Sequence, residues 1–114
     1  MKQFAMTFNK PAITAFFGQN ADAVRLKIDG DQIKIKPVKG TATGRNVYQL
    51  KQRSRGGAEI VLRGEMAHKL ATEMSADAGT MIRLEPGDRH WVDGQPVAEK
   101  PSKVIPTARI WLLK

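Results

Sequence analysis

The chain has 114 residues, a formal net charge of +8, 41% apolar and 26% charged residues, and no cysteine. That length suits one domain around one core. The missing cysteines exclude disulfides, thiolate metal sites and a cysteine nucleophile, and they fit a reducing cytoplasm.

Taken in chain order, Gln3 to Phe8 alternates Phe4, Met6 and Phe8 with small or polar residues, which predicts a short strand. Asn9-Lys10-Pro11 then opens a short helix through Phe17, with Asn9 as cap and Gly18 as stop. A strand through Ile13 fits that stretch almost as well. The same residues interrupt the partly apolar N-terminus, which argues against a secretory signal. No run anywhere approaches the roughly 18 apolar residues of a membrane span.

The segment AVRLKIDGDQIKIKP (23–37) reads as a hairpin. Val24, Leu26, Ile28, Ile33 and Ile35 share one face, and Arg25, Lys27, Lys34 and Lys36 the other, because a strand has a side-chain period of two. A two-residue Asp29-Gly30 turn would oppose Arg25 with Lys34. A four-residue loop from Asp29 to Gln32 would oppose Lys27 with Lys34 and Arg25 with Lys36. Like charges placed opposite one another weaken a hairpin, and an anion across the face would relieve the cost. The competing reading is a solvated face whose lysines protect a sheet edge.

The stretch KGTATGRNVYQLKQRSRGG (39–57) begins as a glycine- and threonine-rich loop, crosses a strand over 46–52 and ends on Arg53, Arg55 and two glycines. Basic residues beside Tyr48 suit phosphates and a stacked base, although a plain polar loop has the same composition. Residues 58–63 form a strand and 65–75 the one clear helix, with Met66, Ala67, Leu70, Ala71 and Met74 at helical spacing. Met81, Ile82 and Leu84 begin a further strand, which Pro86-Gly87-Asp88 turns back into His90-Trp91-Val92. This hairpin echoes the first, so the two are expected to pack together. A proline-rich connection over 93–106 leads to a last strand, 107–113.

The expected fold class is therefore α+β: a compact single domain over 1–114, mostly antiparallel β with one clear helix at about 65–75, and flexible loops at 39–46 and 93–106. Charge is unevenly spread. Residues 1–63 carry 12 Lys+Arg against 4 Asp+Glu, residues 64–99 carry 3 against 7, and the last fifteen add 4 cations and no acid. A basic body with an acidic segment favours a polyanionic partner.

Catalytic and metal motifs are weak. Glu65 and His68 share a helix flank but lack partners from other helices. His90 reads as a sheet residue. Glu85, Asp88 and Asp93 could hold Mg²⁺, yet acids flanking turns are commonplace. No phosphate-loop spacing and no nucleophile elbow occur. The expectation is a non-enzymatic protein with no cofactor and no metal.

The stretch EIVLRGEMAHKLATEMSADAGTMIRLEPGD resembles the AbrB-like swapped-hairpin DNA-binding fold over about thirty residues. Ile60-Val61-Leu62 matches its first strand, Leu70 and Met74 its helix packing residues, and Gly79-Thr80-Met81-Ile82 its glycine and second strand. The resemblance implies an intertwined homodimer and a DNA-binding regulator. From the residues themselves, the expectation is a cytoplasmic nucleic-acid-binding protein, DNA before RNA and duplex DNA first. It would bind through Arg25, Lys27, Lys34, Lys36, Arg45, Lys51, Arg53 and Arg55. The alternative is an accessory or inhibitor module from a mobile element or phage, docking on an acidic protein partner through Trp91, Trp111 and Tyr48.

Overall fold

Apolar-polar alternation through most of the chain is satisfied by one wrapped antiparallel sheet. A computed structural model describes residues 3–18, 21–40, 44–98 and 104–113. The strands are β1 (Gln3–Phe8), β2 (Ala23–Asp29), β3 (Gln32–Val38), β4 (Val47–Gln49), β5 (Lys51–Gln52), β6 (Ala58–Leu62), β7 (Met81–Pro86), β8 (Val92–Val97) and β9 (Thr107–Leu113). They follow the order β4-β2-β3-β8-β7-β9-β1-β6-β5, every pairing antiparallel. The two ends of that order are separated in sequence by Leu50 alone. β4 pairs with β2, Leu50 donates its N–H to the Asp22 carbonyl, and β5 pairs with β6. One bent stretch of chain therefore spans both edges and nearly closes the sheet into a barrel.

The α+β expectation is corrected by this topology. The inward faces of the strands pack on one another, so no helical layer is needed to cover a sheet face. Met6, Leu26, Ile33, Ile35, Ile60, Ile82 and Ile110 are all fully buried in a single core. Gly94 belongs to that inner face: a Cβ there would lie 2.8 Å from the side chains of both Ile33 and Ile82.

The helices follow the strands at opposite ends of the β1–β6 pair. The expected N-terminal helix forms as α1 (Lys10–Ala12) continued by a π-helical turn (Ile13–Phe17). Asn9 caps it, accepting from the Ala12 N–H at 3.0 Å, and Gly18 ends it at φ +64°. The Asn9 side chain also holds the start of β9, accepting from the Thr107 N–H and donating to the Ile105 carbonyl. Phe17 meets Phe8 edge-on with ring centroids 4.9 Å apart. At the other end, α2 (Gly64–Glu73) follows β6 and buries Met66, Ala67 and Leu70. It closes where Ser75 turns left-handed and Ala76 donates to the Leu70 carbonyl.

One expectation about connections changes. The connection expected over 93–106 starts later, because β8 runs through Val97 despite Gly94 and Pro96. Pro96 pairs with Ile82 of β7, beyond Gly94, where the β3 pairing ends, so its missing N–H is lost on an open side. Part of the loop expected over 39–46 lies outside the described residues. The two hairpins do pack together, edge to edge through β3 and β8. Among the described residues no helix is long and apolar enough to cross a membrane.

Candidate nucleic-acid interface

The β2–β3 register decides which cations meet. Asp29 pairs with Gln32, so the turn sits on Gly30-Asp31, with Gly30 at φ +63° and Asp31 in an ordinary conformation. Positive φ at the first central residue alone is the type II′ pattern, which needs a glycine there. The Asp29-Gly30 turn would have required Asp29 itself to take positive φ, and its register is corrected. Arg25 stands opposite Lys36, and Lys27 opposite Lys34.

All four side chains lie on the outer face, with Arg25 and Lys27 exposed and Lys34 and Lys36 half-buried. Compensation is small. Lys34 Nζ is 3.7 Å from Asp93 Oδ1 across the β3–β8 boundary, and that oxygen is buried and accepts no hydrogen bond. Lys36 Nζ lies 5.9 Å from the Trp91 ring centroid, within cation–π range. Arg25, Lys27 and Lys36 take part in no ion pair among the described residues. Arg45 joins this group, because the carbonyl of the next residue, Asn46, accepts from the Leu26 N–H at 2.8 Å.

The other three predicted cations belong to a different part of the barrel. Past Leu50 the strand leaves β2 for β6, so Lys51 faces Glu59, and Arg53 Nη1 makes a 3.1 Å ion pair with that same carboxylate. Arg55 stands exposed on the turn between β5 and β6. The eight residues thus form two groups, five on β2, β3 and the approach to β4, and three around β5.

Tyr48 is half-buried on β4. It pairs with Val24, packs against the core, and burial pushes its hydroxyl above the usual pKa. The aromatic that accompanies the cations is Trp91, which the sequence places 55 residues away from Lys36. The β3–β8 pairing brings the two together, and no local motif signals it. His68 and His90 are both exposed, and among the described residues no group of three His, Cys, Asp or Glu could hold a metal ion.

The thirty residues that resemble the AbrB-like fold form β6, α2 and β7 in that order, with β1 and β9 lying between the two strands in the sheet. No protein-family model, curated protein or solved structure matches the chain.

Proposed function

We propose that this protein binds nucleic acid without catalysis, holding phosphates against the outer face of β2 and β3. One observation carries the reading: two like-charged pairs, Arg25–Lys36 and Lys27–Lys34, stand directly opposed on that face, and among the described residues one of the four cations makes an ion pair. Such pairs cost stability in the free protein, and a polyanion lying across them removes the cost. The regular spacing of strand side chains suits the repeating phosphates of a duplex better than a single point anion, so duplex DNA is the first expected ligand. A regulatory role agrees with a DNA-binding domain of this size that carries no metal or nucleophile motif. Its cysteine-free composition suits the cytoplasm.

Fluorescence anisotropy against labelled duplex DNA, single-stranded DNA and RNA, each across a salt series, tests the reading. Binding that weakens steeply with salt, by a log–log slope of about −0.9 per phosphate contact on a duplex, supports it. Weak, salt-insensitive binding to all three would reduce the face to a solubilising surface.

A second reading, docking on an acidic protein partner, has its own observation. Trp111, Leu112 and Leu113 at the end of β9 are 40%, 41% and 38% exposed. Trp111 is of the residue type that enriches the centres of protein interfaces. A partner that stays bound after nuclease treatment would favour it.

A further inference from the structure

The barrel carries a second basic cleft, remote from the outer face of β2 and β3. Its first wall is Trp111. On the outer surface of β9 and β1, Arg109 pairs with Thr7 and Trp111 with Ala5. The indole reaches across the diagonal and donates from Nε1 to Thr7 Oγ1 at 3.0 Å. The Arg109 guanidinium stacks on the ring, 4.2 Å from its centroid. A ring pinned at its nitrogen and backed by a cation is a fixed aromatic platform.

The opposite wall is the turn from Arg53 to Gly57, closed by the Arg53 N–H to the Gly57 carbonyl at 2.9 Å. Two glycines press this turn onto the corner between β1 and α1. A Cβ on Gly57 would run into the Phe8 carbonyl, and one on Gly56 would lie 3.2 Å from the Lys10 side chain. Between the walls lies a cleft of about 620 Å³ bordered by Asn9, Lys10, Arg53, Ser54, Arg55 and Trp111. Arg53 is held by Glu59, whereas Lys10 and Arg55 take part in no ion pair among the described residues.

We infer that this cleft takes a nucleoside phosphate, with the planar base against Trp111 and the phosphate between Arg55 and Lys10. Its volume falls within the range of roughly 300–1,000 Å³ typical of small-ligand sites. A fixed aromatic wall with two cations that are unpaired among the described residues matches a ligand that is flat and apolar at one end and dianionic at the other. The base can come from a free nucleotide or from the unpaired end of a nucleic-acid strand, which share this chemistry. The inference does not rest on phosphate binding by β2 and β3, because Lys10, Arg55 and Trp111 lie outside that face.

The test uses Trp91→Phe, which leaves Trp111 as the one indole of the chain. Its fluorescence is titrated with adenosine monophosphate, adenosine, inorganic phosphate and a 5′-phosphorylated tetrathymidylate. Saturable quenching by adenosine monophosphate, about tenfold or more tighter than by adenosine or phosphate alone, is the expected result. Arg55→Ala with Lys10→Ala should weaken that binding about tenfold or more. Arg55→Ala alone, on an exposed turn, serves if the double variant loses its circular dichroism signal. Tighter binding of the tetranucleotide assigns the source as a strand end, and tighter binding of the mononucleotide assigns it as the free nucleotide. Two results overturn the inference: no saturable quenching by either nucleotide up to about 10 mM, or unchanged affinity in a folded Arg55→Ala variant. Neither bears on the duplex-binding reading, which is measured separately through Lys34 and Lys36.

Discussion

The β2–β3 and β7–β8 hairpins both send isoleucine, leucine and valine into the barrel, yet their outer faces carry opposite charge. Ile33, Ile35 and Leu26 of the first hairpin and Ile82, Leu84 and Val92 of the second are all buried. Outside, one transverse row runs Lys27, Lys34, Asp93, Glu85 across β2, β3, β8 and β7. Two cations therefore give way to two acids at the β3–β8 boundary, where the Lys34–Asp93 pair sits. Within β7, Arg83 Nε lies 3.6 Å from Glu85, so the second hairpin neutralises part of its own charge. Inner faces of the two hairpins are interchangeable in chemistry because both serve one core. The outer faces are free to differ, and what differs there is informative about partners rather than about folding.

The comparison can be broken first on the inside. Ile33→Ala and Ile82→Ala should each destabilise the protein by about 2–5 kcal/mol, since each opens a cavity in the same packed core. Urea unfolding would show similar losses for both, and a loss under about 0.5 kcal/mol at either site would mean that hairpin is peripheral to the core.

On the outside the hairpins should respond unequally. Glu85→Lys with Asp93→Lys extends the cationic row across β8 and β7, and affinity for duplex DNA should rise about tenfold at low salt, worth about 1.4 kcal/mol. Anisotropy showing no gain would detach binding from this row. A smaller effect is expected at the boundary itself. Asp93→Asn removes the acid beside Lys34 in a partly exposed pair, so the loss in urea unfolding should be at most about 1 kcal/mol and should shrink with added salt.

The smallest effect belongs to Tyr48, on the inner side of β4. Burial raises its folded pKa above the ordinary 10.0. Above that pH the unfolded chain sheds the phenolic proton while the folded chain keeps it, so stability falls as pH rises. Tyr48→Phe should flatten the alkaline limb of a stability–pH profile, and an identical slope in the variant would contradict the assignment.

Much of the inner face was legible from local pattern. The strand 3–8 and the apolar side of the first hairpin follow from alternation, the strand 107–113 from its apolar run, and Asn9 and Gly18 bracket the first helix through their own capping chemistry. Register was less legible, because both Asp29-Gly30 and Gly30-Asp31 offer a glycine, and the sequence does not say which turn residue must take positive φ. Barrel closure was not legible. It depends on pairings such as Phe4 with Leu112, and on a strand that changes partners at Leu50, neither of which leaves a local signal. The fold class differs from the α+β expectation for that reason: strands with one clearly striped helix at 65–75 fit an open sheet as well as a closed one when the pairings are unknown. The site divides the same way. The cations of β2 and β3 lie within twelve residues and could be grouped by eye. Trp91 beside Lys36, and Trp111 across from Arg55, come together only in the folded chain.

The most direct test of the account is the salt dependence of duplex DNA binding by the wild-type protein and by Lys34→Glu with Lys36→Glu, both confirmed folded by circular dichroism. The account predicts a steep wild-type slope that flattens by about 2 units in the variant, with affinity at low salt falling about a hundredfold or more. Equal slopes and equal affinities in the two proteins would contradict it.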